Sequence, residues 1–117
     1  MVKNHKELKV WHSSVELAVE IYKLTCQFPP EEKFGMVGQM RSAAVSIASN
    51  IAEGAARGSR KDFIRFLNIS AGSASELDTH LEIRLKLKMR DCPDIGRIKE
   101  HLDNVARMIQ GLIRSLR

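Results

Sequence analysis

From Ile95 to Leu116 the chain sets an apolar residue at alternating steps of three and four: Ile95, Ile98, Leu102, Val105, Ile109, Leu112 and Leu116. A seam of this period sustained for three heptads is satisfied by a helix that buries one stripe against other helices. It leaves little room for any other fold, because no period-two strand signal competes elsewhere in the chain. The partners must come from the preceding residues, and three further periodic segments supply them.

The first segment spans residues 7–28. One stripe, Leu8, Trp11, Val15, Ala18, Tyr22 and Thr25, runs beside a second, Val10, Leu17, Ile21, Leu24 and Phe28. Two adjacent stripes make a wider apolar face than one bundle core needs. Pro29-Pro30 ends the segment, since proline disfavours helical geometry before it and has no N–H. The second helix is expected over 34–56, its apolar residues interleaved with small ones (Ser42, Ala43, Ser46, Ser49, Ala55), and Gly54 or Gly58 offers a C-terminal stop. Small side chains let helix axes approach closely, so this helix should be the most enclosed.

Ser59-Arg60-Lys61-Asp62 fits a capping box. It opens a third helix over 60–89, with Phe63, Phe66, Leu67, Ser70, Ala74, Leu77, Leu81 and Leu85 on one face. Gly72 inside it costs about 1 kcal/mol relative to Ala, and a close helix crossing there would compensate. After Asp91-Cys92-Pro93-Asp94, the fourth helix covers 94–116. With 117 residues, 44% hydrophobic and only 5% aromatic, the chain suits one domain with a core of Leu, Ile, Val, Ala and Met. Short connections between neighbours then predict an all-α, antiparallel up-down-up-down four-helix bundle.

No apolar run reaches the roughly 18 residues of a membrane span. Residues 1–10 are Lys-rich without a signal peptide's apolar core, so a cytoplasmic protein is expected. Cys26 and Cys92 form no CxxC pair and read as reduced thiols rather than a disulfide or metal site.

Catalytic signatures are missing from the sequence. His5, His12, His80 and His101 lack metal-ligand spacing and read as solvated or interface histidines. No phosphate-binding glycine loop or nucleophile elbow occurs, and no serine has an activating partner nearby in sequence. Neither an enzyme nor a cofactor is expected.

Two constellations stand out. The net charge of +5 lies mostly in the second half, where Arg57, Arg60, Lys61 and Arg65 open the third helix and Arg84, Lys86, Lys88 and Arg90 crowd its end. Either group suits phosphate contacts. Cations in a helix's last turns also simply complement its dipole, whereas the first group lies where the dipole disfavours them. The other constellation is a polar line through Ser46, Asn50 and Glu53, which fits hydrogen bonds fixing register between helices or subunits, or a ligand site.

The run Phe34-Gly35-Met36, Gln39-Met40-Arg41 and Val45-Ser46-Ile47-Ala48-Ser49-Asn50-Ile51-Ala52-Glu53-Gly54, then Arg57, closely resembles a bacterial four-helix bundle family. That family is associated with intervening sequences in 23S ribosomal RNA genes and is related to the accessory protein of diversity-generating retroelements. Val10-Trp11, Ile21-Tyr22, Phe28-Pro29, Phe63, Phe66-Leu67, Ala71-Gly72-Ser73 and Glu76-Leu77 extend the similarity over roughly residues 8–85. Ala48 stands where family members often have proline, and Ser42 where a second arginine is common. The first departure should leave the second helix more regular, and the second removes a positive charge.

The resemblance implies bundles that assemble into barrel-shaped homopentamers. Trp11, Tyr22, Ser46, Asn50, Glu53, Gly72 and Glu76 are expected as structural or interface residues. It carries over no catalytic residue. The retroelement relative is basic and held to bind nucleic acid and a reverse transcriptase. Two functions follow as expectations. One is a homo-oligomer that contacts RNA or DNA backbone through the basic residues. The other is an adaptor whose partner is a protein.

Overall fold

The computed structural model describes residues 4–87 and 94–117, with the backbone alone at Lys33 and Phe34. Four helices carry the fold: α1 (Lys9–Thr25), α2 (Gly38–Ala56), α3 (Arg60–Leu87) and α4 (Ile95–Leu116). They alternate in direction as an all-α, up-down-up-down bundle of 45 × 22 × 19 Å. The 28 residues of α3 span about 42 Å at a helical rise and fill the long axis. The expected end of the third helix, at residue 89, lies outside the described residues.

Around Pro29-Pro30 the helices are shorter than the periodicity predicts. The last turns after α1 tighten, with Gln27 N–H donating to the Leu24 carbonyl and Phe28 N–H to that of Thr25, both at 3.1 Å. A 3₁₀ turn (Pro30–Glu32) and a wider π-type turn (Lys33–Val37) lead into α2. The α2–α3 connection is sharper. Gly58 takes φ +83°, the left-handed stop of a helix end. Ser59 Oγ then accepts from Asp62 N–H at 3.1 Å as the expected cap.

The core is aliphatic. Leu17, Ile21, Met40, Ile47, Ile51, Leu67, Leu77, Leu81, Val105 and Ile109 are wholly buried. In α4 the heptad seam holds through Ile109, but Ile113 goes inside while Leu112 is only partly buried. A straight helix of 3.6 residues per turn drifts about 20° per heptad against a 3.5 repeat, which brings the next residue round by the third repeat. In α3 the seam ends on Arg84, and Leu85 is exposed.

The close α2–α3 crossing is centred on Gly54, not Gly72. A Cβ at Gly54 would lie 2.8 Å from Phe66 Cβ, whereas one at Gly72 would meet nothing within 4 Å. Gly72 is exposed, so no helix approach offsets its cost. Farther along, Ser70 Oγ donates to the Ile47 carbonyl at 2.6 Å. Ser46 and Ser73 hydroxyls share a hydrogen bond of 2.7 Å, and Asn50 Nδ2 donates to both the carbonyl (2.9 Å) and the hydroxyl (3.0 Å) of Ser46. These polar bonds therefore fasten α2 to α3 within one chain. α2 runs unbroken through Ala48.

Candidate nucleic-acid interface

The antiparallel register decides which charges meet. Arg41 bonds Thr25 Oγ1 at 2.8 Å, so α2 read forward from there and α1 read backward bring Arg57 level with residues 6–9. Lys99 Nζ lies 2.7 Å from Glu82 and 3.2 Å from Asp78. Stepping both helices by the same amount brings Arg114 level with Phe63–Leu67. One end of the bundle thus gathers Lys6 and Lys9 before and on α1, and Arg57, Arg60, Lys61 and Arg65 around the α2–α3 turn. Arg114 and Arg117 join them from the end of α4. All eight are exposed. Among the described residues, the side-chain carboxylates there are Glu7, Glu53 and Asp62, so eight cations face three carboxylates at this end.

Two of these arginines are pre-oriented. The guanidinium carbons of Arg57 and Arg65 sit 4.9 and 4.5 Å from the Phe66 ring centroid, a cation–π contact with a nearly buried ring. Arg57 also meets Glu53 at 2.7 Å and Arg65 approaches Asp62 at 3.8 Å. Both pairs are half-exposed, so they hold the side chains loosely and contribute at most about 1 kcal/mol each.

The basic residues at the far end of α3 behave differently. Lys86 is exposed, but lies about 38 Å along the helix from Lys61, so the two groups form no common patch. Lys88 and Arg90 lie outside the described residues. Arg84, expected as a surface phosphate contact, is wholly buried. Its Nη1 donates to both Glu32 carboxylate oxygens at 2.8 and 2.7 Å, and its guanidinium carbon lies 3.7 Å from the Phe28 ring centroid. The charge is buried because its partners are brought in by the α1–α2 connection, which it ties down against α3. It is not available to a phosphate.

On the α1–α2 side, the first apolar stripe of α1 divides: Val15 and Tyr22 are exposed, Leu8, Trp11 and Ala18 are partly buried, and Thr25 is buried. Trp11, Val15, Ala18, Val19 and Tyr22 face Val45, Ala48 and Ala52 across an open groove of about 550 Å³. Tyr22 is 44% exposed, with Arg41 stacked 4.5 Å from its ring centroid. Trp11 meets His5 and His12 edge-on at 4.7 and 5.0 Å. Glu76 is exposed on α3, 3.7 Å from His80.

The α1–α4 side carries a polar ladder that no local motif announces. Glu20 accepts from His101 Nδ1 and, at 2.5 Å, from Arg97, while His101 Nε2 lies 3.0 Å from Ser13 Oγ. Burial pulls the Glu20 carboxyl upward, but the hydrogen bonds and charges of His101 and Arg97 outweigh it and hold the group below the usual carboxylate range. No group of three or more His, Cys, Asp and Glu side chains among the described residues is arranged to hold a metal ion. No helix among them is long and apolar enough to cross a membrane.

The family model for 23S rRNA-intervening sequence proteins matches residues 6–111, nearly the whole bundle. The chain belongs to that family. It is also similar to a protein of unknown function from Bacteroides thetaiotaomicron, of the S23 ribosomal protein family. The two share 30% identity and superpose with a TM-score of 0.79 over 89% of this chain and 97% of that one. No functionally curated protein matches the chain significantly. For this family member, the sequence marked the turn cluster from Arg57 to Arg65. It missed Lys6, Lys9, Arg114 and Arg117, which only the antiparallel topology brings beside it.

Proposed function

We propose that the protein is a homo-oligomeric binding module that grips RNA or DNA backbone with the basic end of its bundle. One observation carries this reading: exposed cations from three separate segments converge at one end, against few carboxylates. Arginine and lysine there suit phosphate contacts, which fix position without reading bases. The open apolar groove between α1 and α2 is the self-association surface, and the family resemblance gives the count as five. The reading needs no cofactor and no membrane.

The test is a fluorescence-anisotropy titration with a structured RNA hairpin and a matched duplex DNA at about 50 and about 200 mM salt. Six phosphate contacts shared among subunits would weaken binding by about 10³-fold over that range. No binding at the lower salt ends the nucleic-acid reading. Sedimentation of the same preparation checks self-association. Tyr22→Glu with Val45→Glu should reduce the oligomer to 13.2 kDa chains, and a wild type that already sediments as single chains removes that part of the proposal.

The same groove favours a second reading, an adaptor that binds a protein such as a reverse transcriptase. An apolar patch of this kind on an exposed face is the usual mark of a protein contact. A purified complex with a stoichiometric protein and a nucleic-acid-free absorbance ratio at 260 and 280 nm would favour it.

A further inference from the structure

We propose that Ser13, His101 and Glu20 form a nucleophile–base–carboxylate relay, and that the α1–α4 groove beside it accepts small activated carboxylic esters. It shares Lys9 with the basic end but is carried by a separate set of contacts between α1 and α4, and it stands independently of nucleic-acid binding.

The geometry fixes the roles. Glu20 is an acceptor on both oxygens, with Arg97 on one and His101 Nδ1 on the other. An ionised carboxylate can only accept, so Nδ1 carries a hydrogen. In the neutral ring Nε2 is then the free base. Ser13 Oγ, 3.0 Å away, donates its proton to that nitrogen. The neighbouring serine shows what is unusual here. Ser14 donates back to the Val10 carbonyl at 2.7 Å, the common fate of a helical serine, whereas the Ser13 hydroxyl is directed across to α4. Nucleophile and base within hydrogen-bond reach, with the base oriented by a third group, is the pattern of an activated serine.

Room for a substrate lies alongside. Ser13 and His101 line an open groove of about 590 Å³ whose walls also include Lys9, Arg107 and Met108. Attack would form a bond from Ser13 Oγ to the ester carbonyl carbon and pass the serine proton to His101 Nε2. Collapse breaks the bond from that carbon to the leaving oxygen, which takes the proton from His101. Water then attacks the acyl-serine by the same route, releasing the carboxylic acid and restoring Ser13.

The helix sets a limit on this chemistry. Ser13 lies inside α1, where backbone N–H groups are bonded within the helix and cannot serve as an oxyanion hole. Among the described lining, the side-chain cations Lys9 and Arg107 offer positive charge to the developing oxyanion. Since one missing donor costs about 10²–10³ in rate, the substrate class is esters with good leaving groups, not amides.

The experiment treats the full chain with a fluorophosphonate probe, maps the adduct by peptide mass spectrometry, and follows p-nitrophenyl acetate hydrolysis in parallel. The expected result is one adduct, on Ser13, with hydrolysis lost in Ser13→Ala and retained in Ser14→Ala. His101→Asn should slow labelling about 10²-fold or more. Glu20→Gln should slow labelling and Glu20→Asp should partly restore it, because His101 Nδ1 loses and regains the carboxylate that orients the base. A merely structural ladder would leave the labelling rate of the folded chain unchanged. Absence of an adduct on folded wild-type chain, confirmed by its helical circular dichroism, overturns the proposal. So does labelling that persists unchanged in His101→Asn.

Discussion

The two ends of α3 carry arginines that look alike in the sequence and do opposite things in the fold. At the start, Arg65 and its neighbour Arg57 lie in solvent against the ring of Phe66, with partial, exposed ion pairs. At the other end, Arg84 is enclosed, holding both oxygens of Glu32 over the ring of Phe28. Each uses an aromatic ring as a platform. The difference is the carboxylate: a two-oxygen partner inside the protein turns a cation into a clamp, and its absence leaves a cation for outside partners.

Breaking the clamp should produce the largest effect. Arg84→Ala leaves Glu32 without its partner and should destabilise the bundle by about 3–5 kcal/mol, read as a fall in denaturant midpoint, with RNA affinity unchanged under folded conditions. The triple change Arg60→Ala, Lys61→Ala and Arg65→Ala should invert that result. Affinity falls by more than about tenfold and the salt slope becomes shallower by about 3, while stability moves by less than about 1 kcal/mol. Equal losses of stability from both sets would erase the contrast.

Smaller effects sharpen the picture of the same turn. Gly54→Ala forces a Cβ against Phe66 Cβ, under the ring that supports Arg57 and Arg65. It should cost about 1–3 kcal/mol and weaken RNA binding as well. Gly72→Ala, in open space on α3, should instead stabilise by about 0.5–1 kcal/mol with binding unaffected. Thermal melts of the pair test the crossing. The mildest expected effect is from pH. Glu20 is held below the ordinary carboxylate range, so its contribution is present above the unfolded-state value and is lost as pH falls through the lower folded one. Glu20→Gln should flatten that acid limb in melts taken as pH falls below the usual carboxylate range.

Much of the fold was legible because it is written in local periodicity. The α4 seam from Ile95 to Ile109, the second stripe of α1 and the Ser59 cap all depend on residues within a few turns of one another. The excess apolar stripe on α1 was legible for the same reason. Arg84 was misread because its partners are supplied from Phe28 and Glu32, more than fifty positions earlier, and its charge hid the fact that it completes the α3 seam. Gly72 was assigned a crossing that belongs to Gly54, since spacing alone does not tell which small residue faces a neighbour. The candidate interface was half visible: the turn cluster is contiguous in sequence, but Lys6, Lys9, Arg114 and Arg117 join it only through topology. The Ser13–His101 contact, across 88 positions, left no local trace.

Concentrating the charge at one tip of a 45 Å rod also gives the molecule a large electric dipole along its length. Near a polyanion, that dipole exerts a torque before any contact forms, turning the basic tip forward as diffusion brings the partners together. Arrival is therefore end-on, with the long flanks of the bundle trailing behind the charged tip.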